Sequence, residues 1–290
     1  MAKAATKKKF DINELQNLKW EAPQSALAKW NPEIHAAKKD DTDAVTINIY
    51  ESIGEDFFGG GFTLKTLSAI LRNAAGKDVM VNINSPGGDF FVGVAAMNML
   101  KEYEGFVNVK IVGLAASAAS VIAMGGDKIE IAETGFIMIH NAWTIAVGNK
   151  NDMQYTADML TKFDDSMSLV YLERADKTEK EIKKMMDSET WLSGKEAVEM
   201  GFADAIIDSS ELQIEKTTES SYNTAVAKVD IALAKQGMPR SERRELLKEL
   251  KGTQNAAPNI TQNADENKEV NVALSNILSK LNEIGNKNVK

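Results

Sequence analysis

Three runs of alternating residues rich in Val and Ile constrain this chain more than any other feature: VTINIY from Val45, VMVNINS from Val79 and VNVKIVG from Val107. Each is followed by a segment of different period. FTLKTLSAILRNAA places Phe62, Leu67, Ile70 and Leu71 at helical spacing, VGVAAMNMLKEY continues as a helix after Pro86-Gly87-Gly88, and LAASAASVIAMGG supplies a third helix. Strands alternating with helices imply a mainly parallel sheet covered by helices, an α/β fold. KIEIAE and GFIMIH read as two further strands separated by Thr134-Gly135. Residues 151–174 read as one long helix with Met153, Leu160, Phe163, Met167 and Val170 as buried contacts, and a shorter helix follows at about 178–186. In LSGKEAVEMG, Ser193 with Glu196 three residues on is a capping box.

The flanks differ from this centre. The sequence implies an N-terminal arm and docking segment (1–44), a core domain (45–208) and a polar C-terminal extension (209–290). The arm opens with MAKAATKKKF and carries Trp20 and Trp30. The extension has one aromatic, Tyr222, too little for a second core. It reads as short helices or disordered chain: SERRELLKELKG with Ser241 as cap and Gly252 as stop, a linker, and a heptad-like seam at Val270, Leu274, Ile277, Leu281 and Ile284.

Composition excludes several classes of function. A net charge of −8 argues against a nucleic-acid-binding surface. The absence of cysteine removes thiol catalysis, disulfides and cysteine-based metal sites. The basic start is not followed by an apolar run, and nothing approaches the roughly 18 consecutive apolar residues of a membrane span, so a cytoplasmic protein is expected. Histidine-dependent chemistry must use His35 or His140. His35, in a polar lead-in, reads as structural or exposed.

Three places can carry chemistry. INSPGGD ends a strand, and Gly87-Gly88 can either form a simple turn or leave N–H groups open to a ligand. Ser117 stands where a strand gives way to a helix, so its hydroxyl can serve as a nucleophile beside free helical N–H groups, while the surrounding alanines equally suit close packing. Ser120, one turn further in, suits a bond back to its own helix. His140 ends the strand GFIMIH, where α/β sheets place sites and where a satisfied core histidine is equally at home. A serine needs a base, and the base an acid. Asp187 and Glu189, in a loop between two helices, are the candidates, whereas Asp164 and Asp165 on the long helix read as solvated.

INSPGGD, GLAASAAS, FIMIH and WLSGKEAVEMGFADAI, in that order, resemble the ClpP family of serine peptidases within the crotonase-like superfamily, over residues 45–208. The resemblance implies repeated strand–helix units with a long interface helix. It implies Ser117 as nucleophile, His140 as base, and the backbone N–H groups of Gly87, Gly88 and Ala118 as the oxyanion site. The family's acid, an aspartate four residues before the capping serine, falls here on Glu189, with Asp187 as the alternative. No metal or organic cofactor is implied, and the expected partners are further copies of the chain in a closed ring together with protein substrates. The aromatic lead-in, the ETW at the acid position and the polar tail are similar to phage-encoded head-maturation proteases. That implies capsid and scaffold substrates, an assembly role for the tail, and a place in the host cytoplasm and assembling prohead. Rival expectations are a scaffolding protein with little activity, a ClpP-like subunit served by an ATPase, acyl-CoA chemistry, and a serine–lysine mechanism.

Overall fold

The computed structural model describes residues 22–32, 34–36, 44–55, 61–207 and 214–216, with scattered positions between 229 and 247. The elements run α1 (Gln24–Lys29), β1 (Ile34–Ala36), β2 (Val45–Ile49), α2 (Leu64–Ala74), β3 (Val79–Ser85), α3 (Phe90–Lys101), β4 (Val107–Ala116), α4 (Ala118–Ala123), β5 (Lys128–Ile131), β6 (Phe136–Ile139), α5 (Lys150–Leu172), α6 (Glu179–Asp187), β7 (Thr190–Ser193), α7 (Gly194–Glu199), β8 (Ala205–Ile206) and β9 (Ile214–Lys216).

The main sheet runs β2-β3-β4-β5-β8 in parallel. β2 alternates buried with exposed residues as an edge strand does, whereas β3 is buried along nearly its whole length. β4 has two successive neighbours on one side. Asn108–Ile111 pair with β5, and Leu114–Ala116 pair with β6. This fork sets Ala116 opposite Met138, so the residues that leave the two strands, Ser117 and His140, emerge side by side. β7 closes the fork antiparallel to β6, with Ile139 opposite Thr190.

The helices follow their signals. Thr63 and Asp89 cap α2 and α3, and capping boxes start α5 (Asn149, Asp152), α6 (Thr178, Glu181) and α7 (Ser193, Glu196). α4 buries all six of its residues, which explains its small side chains: Gly93 of α3 comes so close that a Cβ there would stand 3.0 Å from that of Ala118. α5 packs Phe163 against Phe90 and Phe91, with ring centroids 5.4 Å apart in both pairs.

Two expectations need correction. Met153 is exposed rather than buried, whereas Phe163 and Met167 are buried and Leu160 and Val170 pack partly against the core as expected, joined by Met159 and Tyr171. The acid region is not a plain loop between helices: Asp187 ends α6, and the strand β7 starts directly after Glu189. The β1–β9 pair, with His35 opposite Glu215, was not legible in the sequence.

Chain contacts divide the molecule into two compact units, residues 1–232 and 233–290. In the second, Leu233, Met238 and Leu247 are buried and Arg243 donates to the Met238 carbonyl at 3.0 Å. The heptad-like seam at 270–284 lies outside the described residues, as does the basic arm. No helix among the described residues is long and apolar enough to cross a membrane.

Candidate active site

Ser117 sits at the junction of β4 and α4 with φ 55° and ψ −125°, a backbone region that L residues rarely occupy. Its N–H donates to the Met138 carbonyl at 2.9 Å, which ties the elbow to the strand leading to His140. The strained turn presents the hydroxyl outward, and Ser117 Oγ lies 2.8 Å from His140 Nε2. Beneath it, Ser120 Oγ donates to the Ser117 carbonyl at 2.6 Å and contacts Tyr171 Oη at 2.9 Å. Since the Ser120 proton is engaged, the phenol is the donor of the second bond. Ser120 therefore bonds within its own helix, as its position implied, and joins the elbow to α5.

His140 is 9% exposed. Burial pushes its pKa down to about 4, partly offset by the nearby Glu189 carboxylate. At neutral pH the imidazole is uncharged and can accept a proton from Ser117. Glu189, at φ 47°, accepts from Trp191 Nε1 at 3.2 Å. Asp187 accepts from Asn141 Nδ2 at 2.8 Å. No carboxylate is hydrogen-bonded to His140 among the described residues, and Glu189 is the one whose charge acts on it.

The Gly87–Gly88 turn stands over Ser117. Gly87 has φ 89°, and a Cβ there would lie 2.5 Å from the Ala116 carbonyl and 2.7 Å from Ser117 Cβ, so both conformation and space demand glycine. Gly88 has φ 152° and presses on Ile53. Of the three expected oxyanion donors, Gly87 is engaged, its N–H donating to Ser85 Oγ at 3.2 Å. The N–H groups of Gly88 and Ala118 make no hydrogen bond among the described residues. A pocket beside Ser117 is lined by Phe90, Ala118, His140, Ala142, Trp143 and Met167, mostly apolar side chains that suit an apolar substrate group.

Asp164 departs from expectation. It is not a solvated helix residue but accepts from the Ala142 N–H at 2.6 Å, two residues after His140, and burial with the charges of Asp187 and Asp165 raises its pKa to about 6. Its helical spacing gave no sign of this, because the contact is made by a loop that only the fold brings over α5. Asn84, Ser85, Tyr171 and Trp191 also escaped the sequence reading. Ser85 left one trace, a polar residue where the alternation of VMVNINS calls for an apolar one.

The Clp protease family model matches residues 45–210, more than half of the chain. The chain belongs to the Clp protease family. It is similar to the "ATP-dependent Clp protease proteolytic subunit" of Streptococcus uberis, 29% identical over 141 residues that span 47% of this chain and 72% of that protein. The subunit of the same name from Streptococcus pyogenes serotype M1 is 30% identical over the same shares. A point mutant of ClpP1 from Listeria monocytogenes, at 23% identity, covers 59% of this chain and 96% of its own with a TM-score of 0.49. Family membership makes this chain a serine-type peptidase, a hydrolase.

Proposed function

We propose that the chain is a serine endopeptidase in which Ser117, His140 and Glu189 act as nucleophile, base and acid. The observation that carries this is the 2.8 Å approach of Ser117 Oγ to a neutral His140 at a strained strand–helix elbow. Ser117 Oγ attacks the scissile carbonyl carbon while its proton passes to His140 Nε2. The oxyanion is received by the N–H groups of Gly88 and Ala118, and Gly87 holds the turn through Ser85. The tetrahedral intermediate collapses, His140 gives its proton to the leaving amine, and the acyl-enzyme forms. Water, deprotonated by His140, then attacks the ester and restores Ser117. Glu189 stabilises the imidazolium in both halves, and an apolar substrate side chain occupies the pocket between Phe90, Trp143 and Met167.

Labelling with a fluorophosphonate probe, followed by intact mass, tests the assignment. One adduct is expected on the wild type and on Ser120→Ala, with none on Ser117→Ala and at most trace labelling on His140→Ala. An adduct surviving in Ser117→Ala would overturn it.

The finer reading is a head-maturation protease that assembles as a ring and cleaves capsid and scaffold proteins, the polar tail serving assembly. The tail's composition supports it, and the exposed Leu169 and Met153 on α5, with Ile145 and Val147 before it, support self-association. A second reading is favoured by the relatives' names: a proteolytic subunit served by an ATPase. Co-expression with capsid and scaffold proteins, against incubation of a folded substrate with a Clp-type ATPase and ATP, separates the two by which substrate is cut. Native mass spectrometry of the full chain reads the ring.

A further inference from the structure

The segment around α1 is built onto the site rather than merely leading into the fold. Alternation along β4 and β6 sends Ala115, Ile137 and Ile139 into the main core and Leu114, Ala116 and Met138 to the other face. There they meet Ala22, Ala26, Leu27 and Trp30, with Trp191 at the edge. The covered strand ends are those that deliver Ser117 and His140. Asn84 fastens the segment: its Nδ2 donates to the carbonyls of Asn31 (2.7 Å) and Ile34 (3.0 Å), its Oδ1 accepts from Leu114 N–H (3.1 Å), and its carbonyl accepts from Trp30 Nε1 (2.9 Å). The next residue, Ser85, ends β3 and leads into the turn that carries Gly87 and Gly88.

One contact reaches the acid. Lys29 Nζ lies 3.6 Å above the centroid of the Trp191 ring, and the indole N–H of Trp191 donates to Glu189 Oε1. We propose that Trp191, backed by Lys29, is a positioning residue that holds the Glu189 carboxylate for His140, making the α1 segment part of the catalytic apparatus. This rests on the reading of Glu189 as the acid. A glutamate carries one more rotatable bond than an aspartate, so at this position it needs a restraint that a shorter side chain does without. Glu189 lies just before β7 in a left-handed conformation (φ 47°), and from there its carboxylate meets the indole N–H of Trp191 two residues on, at 3.2 Å. The ammonium above the ring draws on its electron density and makes the indole N–H a stronger donor.

The test is steady-state cleavage of a chromogenic peptide by the full chain and by Trp191→Phe, Lys29→Met, Glu189→Gln and the double variants with Glu189→Gln. Trp191→Phe keeps a ring for Met138 and Lys29 and removes only the donor. The expected result is a kcat lowered about tenfold with KM nearly unchanged, the scale of one hydrogen bond to a charged group. Lys29→Met lowers kcat two- to threefold, the scale of one exposed cation–π contact. Both effects shrink below about twofold in the Glu189→Gln background, since residues acting through one group are not additive. The acid limb of kcat/KM also moves to lower pH in Trp191→Phe, because His140 loses a carboxylate that raises its pKa. Equal losses in both backgrounds, or no loss in Trp191→Phe, overturn the proposal. A Glu189→Gln enzyme at the wild-type rate removes the acid assignment, and the proposal with it.

Discussion

The pair Ser120–Tyr171 offers the sharpest energetic test of how the elbow is held. Both residues are fully buried, and the phenol donates to Ser120 Oγ, which in turn donates to the Ser117 carbonyl. Burial pushes the Tyr171 pKa far above neutrality, so the donor is a neutral hydroxyl at every working pH. Tyr171→Phe removes one bond but leaves Ser120 donating to Ser117, at a cost of about 1 kcal/mol. Ser120→Ala costs more, about 2 kcal/mol, because it strands a buried phenol whose hydrogen-bond partner is gone, and a buried unsatisfied group carries its full desolvation penalty. The double variant strands nothing and should cost about 1 kcal/mol less than the sum of the singles. Urea unfolding followed by tryptophan fluorescence reads these as midpoint shifts of about 0.5 M and about 1 M for the singles, with an m-value near 2 kcal/mol/M. The Ser117 carbonyl still accepts from the Ser120 and Val121 N–H groups, so probe labelling should survive in all three variants. Strict additivity, or a Tyr171→Phe cost exceeding that of Ser120→Ala, would refute the reasoning.

Two further expectations concern the same site. Gly87→Ala combines φ 89° with a Cβ 2.5 Å from the Ala116 carbonyl, so it should abolish probe labelling and lower the melting temperature by several degrees, on the order of 2 kcal/mol. Acid stability should show two opposed titrations. Folded His140 has its pKa depressed from 6.5 to about 4, so between those values the unfolded chain binds a proton that the folded chain refuses, and stability falls as pH drops through that window, by about 3 kcal/mol at most. Folded Asp164 has its pKa raised from 3.8 to about 6, so it binds its proton more readily folded than unfolded and contributes in the opposite direction as pH falls through 6. Asp164→Asn removes that offset, and thermal melts between pH 6 and 4 should then fall more steeply than in the wild type. An unchanged slope would show that Asp164 stays ionised in the folded chain.

The alternation of VTINIY, VMVNINS and VNVKIVG with helical segments determined the parallel sheet, because side-chain period is a local property that burial on a sheet or helix requires. The capping box at Ser193 and Glu196 was legible for the same reason, its partners being three residues apart. Ser117 and His140 could be named from their places at strand ends. Their 2.8 Å meeting was decided by the fork of β4, which changes neighbour from β5 to β6 within one strand and sets Ala116 beside Met138. Three residues, Asp164, Tyr171 and Asn84, were out of reach of the sequence because their partners lie far away in the chain. Asp164 reaches Ala142 across 22 positions, Tyr171 reaches Ser120 across 51, and Asn84 gathers Asn31 and Ile34 from 53 and 50 positions away. Gly87 looked equal to Gly88 until the turn aimed its N–H at Ser85. Periodicity records which face of an element is buried, and so the sequence by itself determined the strands, the helices and the chemical types at their ends. Which polar groups meet at the site depends on how those elements stack, and the tertiary structure alone decided that.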